Sequence, residues 1–377
     1  MNLNIILGEV LKRIKLNQLV YNNKLICKLL KLLIKKNSID SVDDARNFLS
    51  HMSSKPLGKS FAKNVIQDIE YDLTIIIPAY NVEKYIEDCV NSIITQETKY
   101  KFLVKIINDG SIDQTRSILK QYEKFDNIQI IDQFNMGLSG ARNTALKKIQ
   151  SKYITFVDSD DKLEKNAIQL LLDAAFKNDS DIVEGGFYKF TNNNKIIEKQ
   201  THQSHDSINP FGNLRGYPWG KVIKSSLFEN IKFPEGFWYE DTIFMYLIYP
   251  ICKKTTTISE IVYWYRYNPQ GITVTAKKNP KGIDTYWITE QLIEDMDELE
   301  IEKTQFIYEF TLFQIYFNFR RTKYMGPEAQ KSLFCLSSNL IKTKFPQFKT
   351  TNRNQIELEN ALLNDDYKQY YLYCCFN

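Results

Sequence analysis

From residue 72 onward, short apolar runs alternate with stretches of helical period. LTIIIP (73–78) precedes EKYIEDCVNSIITQ, LVKIIN (103–108) precedes DQTRSILKQYEKF, and IQIID (128–132) precedes SGARNTALKKI. YITFVD (153–158) precedes EKNAIQLLLDAAFK, and DIVEGGFYKF (181–190) closes the series. Strands alternating with helices of this length predict an α/β domain: right-handed crossovers and a Rossmann-like, mostly parallel sheet with helices on both faces. After residue 190 the alternation gives way to TNNNK and a polar stretch read as loop, then to a mixed segment, Trp219 to Asn268. On either side the period is helical. In the first 71 residues Leu25, Leu29 and Leu33 share a stripe with Ile26, Leu30 and Ile34 beside it, and Lys24, Lys28, Lys31 and Lys35 hold the other side. From residue 281 an aromatic-rich helical tail centred on LFQIYFNFRR reads as packed core. The expected division is therefore 1–71, 72–280 and 281–377.

Composition narrows the function classes. A formal charge of +4 over 377 residues is too mild to argue for nucleic acid. It is also unevenly placed, because residues 1–36 carry +7 and the remainder −3. That basic amphipathic segment (1–71) suits packing on a neighbouring domain or a second copy in a homo-oligomer, or peripheral contact with an anionic membrane. The six cysteines show no C-x-x-C spacing, and Cys374 and Cys375 are adjacent, so the reading is a reducing cytoplasm without a zinc site. No run approaches about 18 apolar residues, so a spanning helix is not expected.

In open α/β sheets ligands bind outside the carboxyl ends of the strands. The runs end in PAYN (78–81), NDGS (108–111), FNMGLSGARN (134–143) and DSDD (158–161). An aromatic ring, a lone acid, an arginine and an acidic pair on one rim suit a nucleoside diphosphate and its metal. Tyr80 is placed to stack on a base, Asp109 to accept hydrogen bonds from base or sugar, and Arg142 to sit near phosphate. If the chain stays extended, Asp158 and Asp160 face one point, where two carboxylates repel unless a cation lies between them. Mg2+ or Mn2+ takes a few such oxygens and completes its shell with water and phosphate. Asp161, three residues before Glu164, has the spacing of a helix capping box. His202 and His205 would reach a metal only by folding back onto the aspartates, and His51 has no evident partner.

IIIPAYNVEKYIEDCVNSI, INDGSIDQT, GLSGARN, YITFVDSDD and WYEDTIF together resemble the motif series of family 2 glycosyltransferases with the nucleotide-sugar GT-A fold, over roughly residues 72 to 270. The resemblance implies an inverting, metal-dependent hexosyl- or N-acetylhexosaminyltransferase using a UDP-sugar donor and a glycan or lipid-linked glycan acceptor. Pro78, Ala79, Tyr80 and Asp109 would hold the base. Asp158 and Asp160, with Ser159 between them, would meet ribose and the metal-bound diphosphate, and Arg142 would belong to the same nucleotide-sugar set. Asp241 would be the catalytic base. Trp219 and Lys221 of WGK, with Trp238, Tyr239 and Glu240, would face the acceptor; for Lys221 a contact with phosphate and plain exposure to solvent stand as equal alternatives. The Q-x-x-R-W signature of processive synthases is absent, so one sugar per encounter is expected. Two other classes fit parts of the pattern. A sugar-1-phosphate nucleotidyltransferase would want a glycine-rich loop and lysine where PAYNVEKY stands, and a silent glycan-binding protein would have no need of Asp160 and Asp241.

Overall fold

The computed structural model describes residues 3–34, 39, 41–268 and 279–377. Lys35 and Lys36 of the basic segment lie outside them. The chain forms two compact units rather than three regions: one combines Met1–Pro56, Gln270–Glu294 and Glu302–Asn377, the other Leu57–Pro269 with Asp295–Ile301. Residues 1–56 and most of 281–377, expected as parts of separate extensions, fall in one compact unit, and the α/β unit begins near residue 57. Sequence periodicity reports faces and not partners, so it cannot join elements this far apart.

The helical unit contains α1 (Leu3–Arg13), α2 (Asn17–Asn22), α3 (Lys24–Leu32) and α4 (Val42–Met52). Its later helices are α9 (Asp284–Glu298, whose last residues belong to the other unit), α10 (Gln305–Thr322), α11 (Pro327–Lys344), α12 (Ile356–Leu363) and α13 (Tyr367–Phe376). Ser41 caps α4 by accepting from Asp44 N–H at 3.0 Å. The aromatic tail is core as expected, with Tyr308, Phe319, Tyr370 and Tyr371 buried. His51 Nδ1 lies 2.7 Å from Asn47 O, one helical turn back. The expected stripe on α3 is corrected in detail: Leu30 and Ile34 are buried, whereas Leu25, Leu29 and Leu33 are exposed.

The α/β unit is built on one ten-stranded sheet. Its strands are β1 (Val65–Ala79), β2 (Phe102–Asp109), β3 (Ile128–Gln133), β4 (Lys148–Phe156), β5 (Lys162–Leu163), β6 (Ile182–Phe190), β7 (Ile196–Gln200), β8 (His205–Ser207), β9 (Lys221–Lys224) and β10 (Thr255–Arg266). The order is β3-β2-β1-β4-β9-β6-β10-β5, with β7 on β6 and β8 on β10. The β3-β2-β1-β4 block is parallel, β9 runs antiparallel between β4 and β6, and β10 is parallel to β6. Between these strands run α5 (Ile86–Ile94), α6 (Thr115–Leu119), α7 (Gly137–Leu146) and α8 (Ala167–Asn178). The run read as β1 is apolar because both its faces are covered: Leu73 to Ala79 are all buried. Two segments depart from expectation. The polar stretch after residue 190 pairs at the sheet as β7 and β8, and β7 has no buried residue to betray it. TIFMYLIY, whose pattern predicts an ordinary helix, is a 3-10 turn (Glu240–Thr242), a π turn (Phe244–Ile248) and a second 3-10 turn.

Candidate active site at the strand ends

β1 lies between β2 and β4, so the chain leaves it toward β2 on one side and reaches β4 on the other by separate crossovers. A crevice opens at the carboxyl ends at such a point. Pro78 closes β1 beyond the last residue paired with β4, Ile76, so its missing N–H costs no bond on that side. Ala79 is buried and Tyr80, just past the strand, is 47 % exposed.

The loops after β1 and β2 are sewn together by side chains. Asn81 N–H donates to Ser111 Oγ at 3.1 Å, and Ile112 N–H donates back to Asn81 Oδ1 at 2.9 Å. Val82 N–H reaches Thr115 Oγ1, Glu83 N–H reaches Asp113, and Gln114 N–H reaches Glu83. Gly110 has φ +74°, and a Cβ there would stand 2.9 Å from Asn135 N. Only glycine lets the NDGS turn approach the β3 loop so closely. Asp109 is buried, and both its hydrogen bonds fall on Oδ1, from Gln133 Nε2 at 2.6 Å and Met136 N–H at 2.8 Å. Its position is fixed from the β3 side.

The DSDD segment is a turn. β4 ends at Phe156 and Asp161 N–H donates to Asp158 O at 3.0 Å, so the extended-chain argument for Asp158 and Asp160 does not apply. The two carboxylates are nevertheless close enough that Asp158 helps raise Asp160 above the ordinary carboxylate range, burial being the larger cause. Ser159 is buried between them. Asp161 does not cap α8, whose N-cap is Asn166. It is buried, with Oδ1 accepting from Arg266 N–H at 2.6 Å and Oδ2 from Tyr263 Oη at 2.8 Å. Burial, with Asp160 and Asp158 nearby, pushes its carboxyl well above the usual range. Glu164, the other half of the expected capping box, accepts from Trp264 Nε1 at 2.8 Å instead.

Tyr263 Oη also accepts Asp158 N–H at 3.1 Å, Arg266 Nε donates to Asp160 O at 2.6 Å, and Asn268 Nδ2 lies 3.4 Å from Asp160 Oδ2. The end of β10 therefore holds the acidic turn. Sequence reasoning misses these three residues, because only the pairing of β10 with β5, just after the turn, brings them there.

Arg142 is the hub of the site. It is 1 % exposed, with Nη1 2.6 Å from Glu240 Oε1 and Nη2 3.1 Å from Asp158 Oδ1. Phe233 and Phe156 flank the guanidinium at 5.1 and 5.8 Å. Burial alone would lower its pKa; Glu240 and Asp158 outweigh that and hold it above the usual arginine range. The sequence places Arg142 near phosphate; in the structure its two Nη atoms face carboxylates, Glu240 and Asp158. Next to it Asn143 accepts Phe233 N–H and donates to Phe233 O, both at 2.8 Å. The Arg-Asn pair of GARN thus fixes the chain leading to Glu240 and Asp241. Asp241 is half-buried in the first 3-10 turn, and the residue at the N-cap is Tyr239 at φ +65°. A non-glycine residue held left-handed is a conformation that surrounding structure must enforce, and such residues cluster at functional sites. Trp238 and Tyr239 are half-buried and meet edge to face.

The WGK residues lie elsewhere than expected. Lys221 is fully buried, not exposed and not at phosphate, with Nζ 2.5 Å from Glu184 Oε2, 2.6 Å from Arg215 O and 3.0 Å from Tyr249 Oη. A lysine on the inner strand β9 finds no water and needs such a partner. His202 Nε2 is 2.8 Å from Glu184 and does not approach the aspartates, and His205 pairs β8 with β10. Burial would raise Glu184, but Lys221 and His202 keep it below the usual range. Trp219 is buried in a stack with Tyr217, Tyr263 and Tyr265 at 4.2, 4.6 and 5.3 Å, which packs it as core behind the acidic turn.

A metal would have Asp160 and Asp158 as its protein ligands. Among the described residues no group of three or more His, Cys, Asp or Glu is placed to hold an ion. The pair still fits Mg2+ or Mn2+, which bind through one or two carboxylates when phosphates and water fill the remaining positions. Asp160, destabilised as an anion by burial and by Asp158, is the oxygen donor a cation would relieve.

Residues 74–238 match the sequence profile of Glycosyl transferase family 2. The domain belongs to that family. Among relatives, glycosyltransferase GlyA of Streptococcus pneumoniae is 33 % identical over 215 residues, 52 % of this chain and 31 % of its own length. The uncharacterized glycosyltransferase EpsJ of Bacillus subtilis is 33 % identical over 221 residues, 53 % of this chain and 62 % of its own. The matched part of the chain thus spans less than two thirds of either relative. In three dimensions the chain resembles S. aureus TarS 1–349 in complex with UDP-GlcNAc, with a TM-score of 0.64 and 20 % identity over 79 % of this chain and 89 % of that one. Together with the mixed sheet of mostly parallel strands, this likeness establishes the GT-A fold.

Proposed function

We propose that the family 2 domain is an inverting glycosyltransferase that moves one sugar from a UDP-sugar to a hydroxyl of a glycan acceptor, a cell-surface polysaccharide precursor or a glycoprotein glycan, on the cytoplasmic side of the membrane. The observation that carries this reading is the Arg142 bridge, which links Asp158 of the acidic turn to Glu240, next to Asp241. The choice of a UDP-sugar is supported by the TarS neighbour, whose crystal structure is a complex with UDP-GlcNAc.

In this reading Tyr80 stacks on the base, with Pro78 and Ala79 shaping its floor, while Asp109 accepts from base or ribose. Asp158, Ser159 and Asp160 face the ribose and diphosphate, and Asp160 with Asp158 would hold Mn2+ or Mg2+. When bound, the ion neutralises the charge that develops on the departing diphosphate. Asp241 takes the proton of the acceptor hydroxyl as its oxygen bonds to C1 and the bond from C1 to the diphosphate oxygen breaks. UDP leaves from the opposite face, so configuration inverts. Trp238 and Tyr239 adjoin the base and present the surface for the acceptor sugar. Trp219 and Lys221 act behind the site and touch no substrate.

The test is a panel of UDP-sugars with Mn2+ and candidate glycans, read by mass spectrometry. UDP release with a mass gain of one sugar is the expected result. Glycan binding without hydrolysis or transfer would replace this reading with a silent glycan-binding protein, and nucleotide-sugar formation from a sugar phosphate and UTP would replace it with a nucleotidyltransferase.

A further inference from the structure

The outward face of α1–α3 has no part in the catalytic reading. These helices pack by one edge, through Ile5, Tyr21, Leu30 and Ile34, and a Cβ on Gly8 of α1 would collide with the Cys375 carbonyl of α13. The other edge is apolar as well. On α3, Leu25, Leu29 and Leu32 recur at helical spacing and are 70, 57 and 73 % exposed; Leu19 of α2 is 72 % exposed. Of the 26 exposed large hydrophobic residues described, nine fall between residues 3 and 33. Scattered exposed leucines need no explanation, but a concentration of this kind marks an interaction surface.

The exposed charge carried by α1–α3 themselves has one sign, while Asp366 and Glu357 of the later helices meet Lys31 and Tyr21. Arg13, Lys15, Lys24 and Lys28 are exposed, and the one acid between residues 3 and 34, Glu9, is engaged by Lys323 and Tyr324. A two-fold contact of this face with a second copy would bring these cations against each other. An anionic lipid surface complements both the leucines and the cations. No helix among the described residues is long and apolar enough to cross a membrane, so the contact would be lateral.

We propose that α1–α3 form a platform lying in the plane of an anionic bilayer, with the exposed leucines among the acyl chains and the lysines and arginine at the lipid phosphates. The proposal stands on this face alone and does not require the transferase reading.

The test is flotation of the full chain with vesicles of phosphatidylcholine, alone or with phosphatidylglycerol, at low and high salt. Binding should require the anionic lipid and weaken with salt. Leu25→Gln, Leu29→Gln and Leu32→Gln together should lower partitioning by at least about 10-fold. Lys24→Gln with Lys28→Gln should lower it roughly 25-fold, about fivefold per lysine. All five positions are exposed, so the melting temperature should not move. The idea is overturned if the parent chain does not float with anionic vesicles, or if the leucine variant floats as well as the parent. It is equally overturned if light scattering shows an oligomer that the leucine variant dissolves and no vesicle binding, which would make the face a contact between copies.

Discussion

Arg142→Met removes a cation that joins the acidic turn to Glu240, and the structure sets the size of the effect. The Glu240 arm is the stronger, at 2.6 Å with the glutamate side chain only 12 % exposed. A hydrogen bond to a charged partner contributes about 1.5–3 kcal/mol. The Asp158 arm is longer, 3.1 Å, and its carboxylate is 28 % exposed, so solvent screening reduces it to about 1 kcal/mol. Together they suggest a loss of roughly 2.5–4 kcal/mol, overlapping the range of about 3–5 for breaking a buried ion pair. Methionine keeps most of the contact with Phe156 and Phe233, which isolates the charge. Urea unfolding would measure the loss, and titration with UDP and Mn2+ should show affinity falling at least about 10-fold, as Asp158 is no longer held. Arg142→Lys should recover only part of both, since an ammonium cannot fork between two carboxylates. A stability change under about 1 kcal/mol, with UDP affinity intact, would refute the hub role.

Asp241→Asn should abolish transfer while leaving UDP affinity nearly unchanged by calorimetry, because the base acts on the acceptor; equal loss of UDP binding would count against it. Asp160→Asn should weaken metal-dependent UDP binding, and unchanged affinity with Mn2+ would sink the metal assignment. The same variant carries a pH signature without metal. A carboxyl raised in the fold binds more protons folded than unfolded, so its ionisation costs stability as pH climbs above about 4. Asp160→Asn should therefore gain stability over the parent at pH 7 and lose that advantage by pH 4, in paired urea titrations. Lys221→Met should cost about 3–5 kcal/mol by leaving Glu184 buried without its main partner, and Lys221→Met with Glu184→Leu should recover part of it in the same assay.

The parallel half of the sheet is legible in the sequence because its strands are buried on both faces, so LTIIIP and YITFVD announce themselves without any partner. Asp109, Asp158 and Asp160 stand out for a related reason: each lies at or just past the end of such a run, where the sheet presents its strand ends. Asp161 misleads because its spacing to Glu164 fits a cap, while its actual partners, Tyr263 and Arg266, lie about a hundred residues on. Lys221 misleads because lysine on a short strand looks solvent-bound until Glu184 is seen across the sheet. Arg142 stands out in the sequence, but nothing in GARN names Glu240, nearly a hundred residues on, as its acceptor.

The Arg142 bridge bears on how this scaffold could be re-engineered. Grafting the 235–251 segment from a relative, to give the enzyme a new acceptor, would succeed only if a glutamate arrived in register with Glu240. Otherwise the transplanted loop would leave a half-satisfied guanidinium beside the acidic turn, and a swap aimed at the proposed acceptor would disturb the proposed donor site.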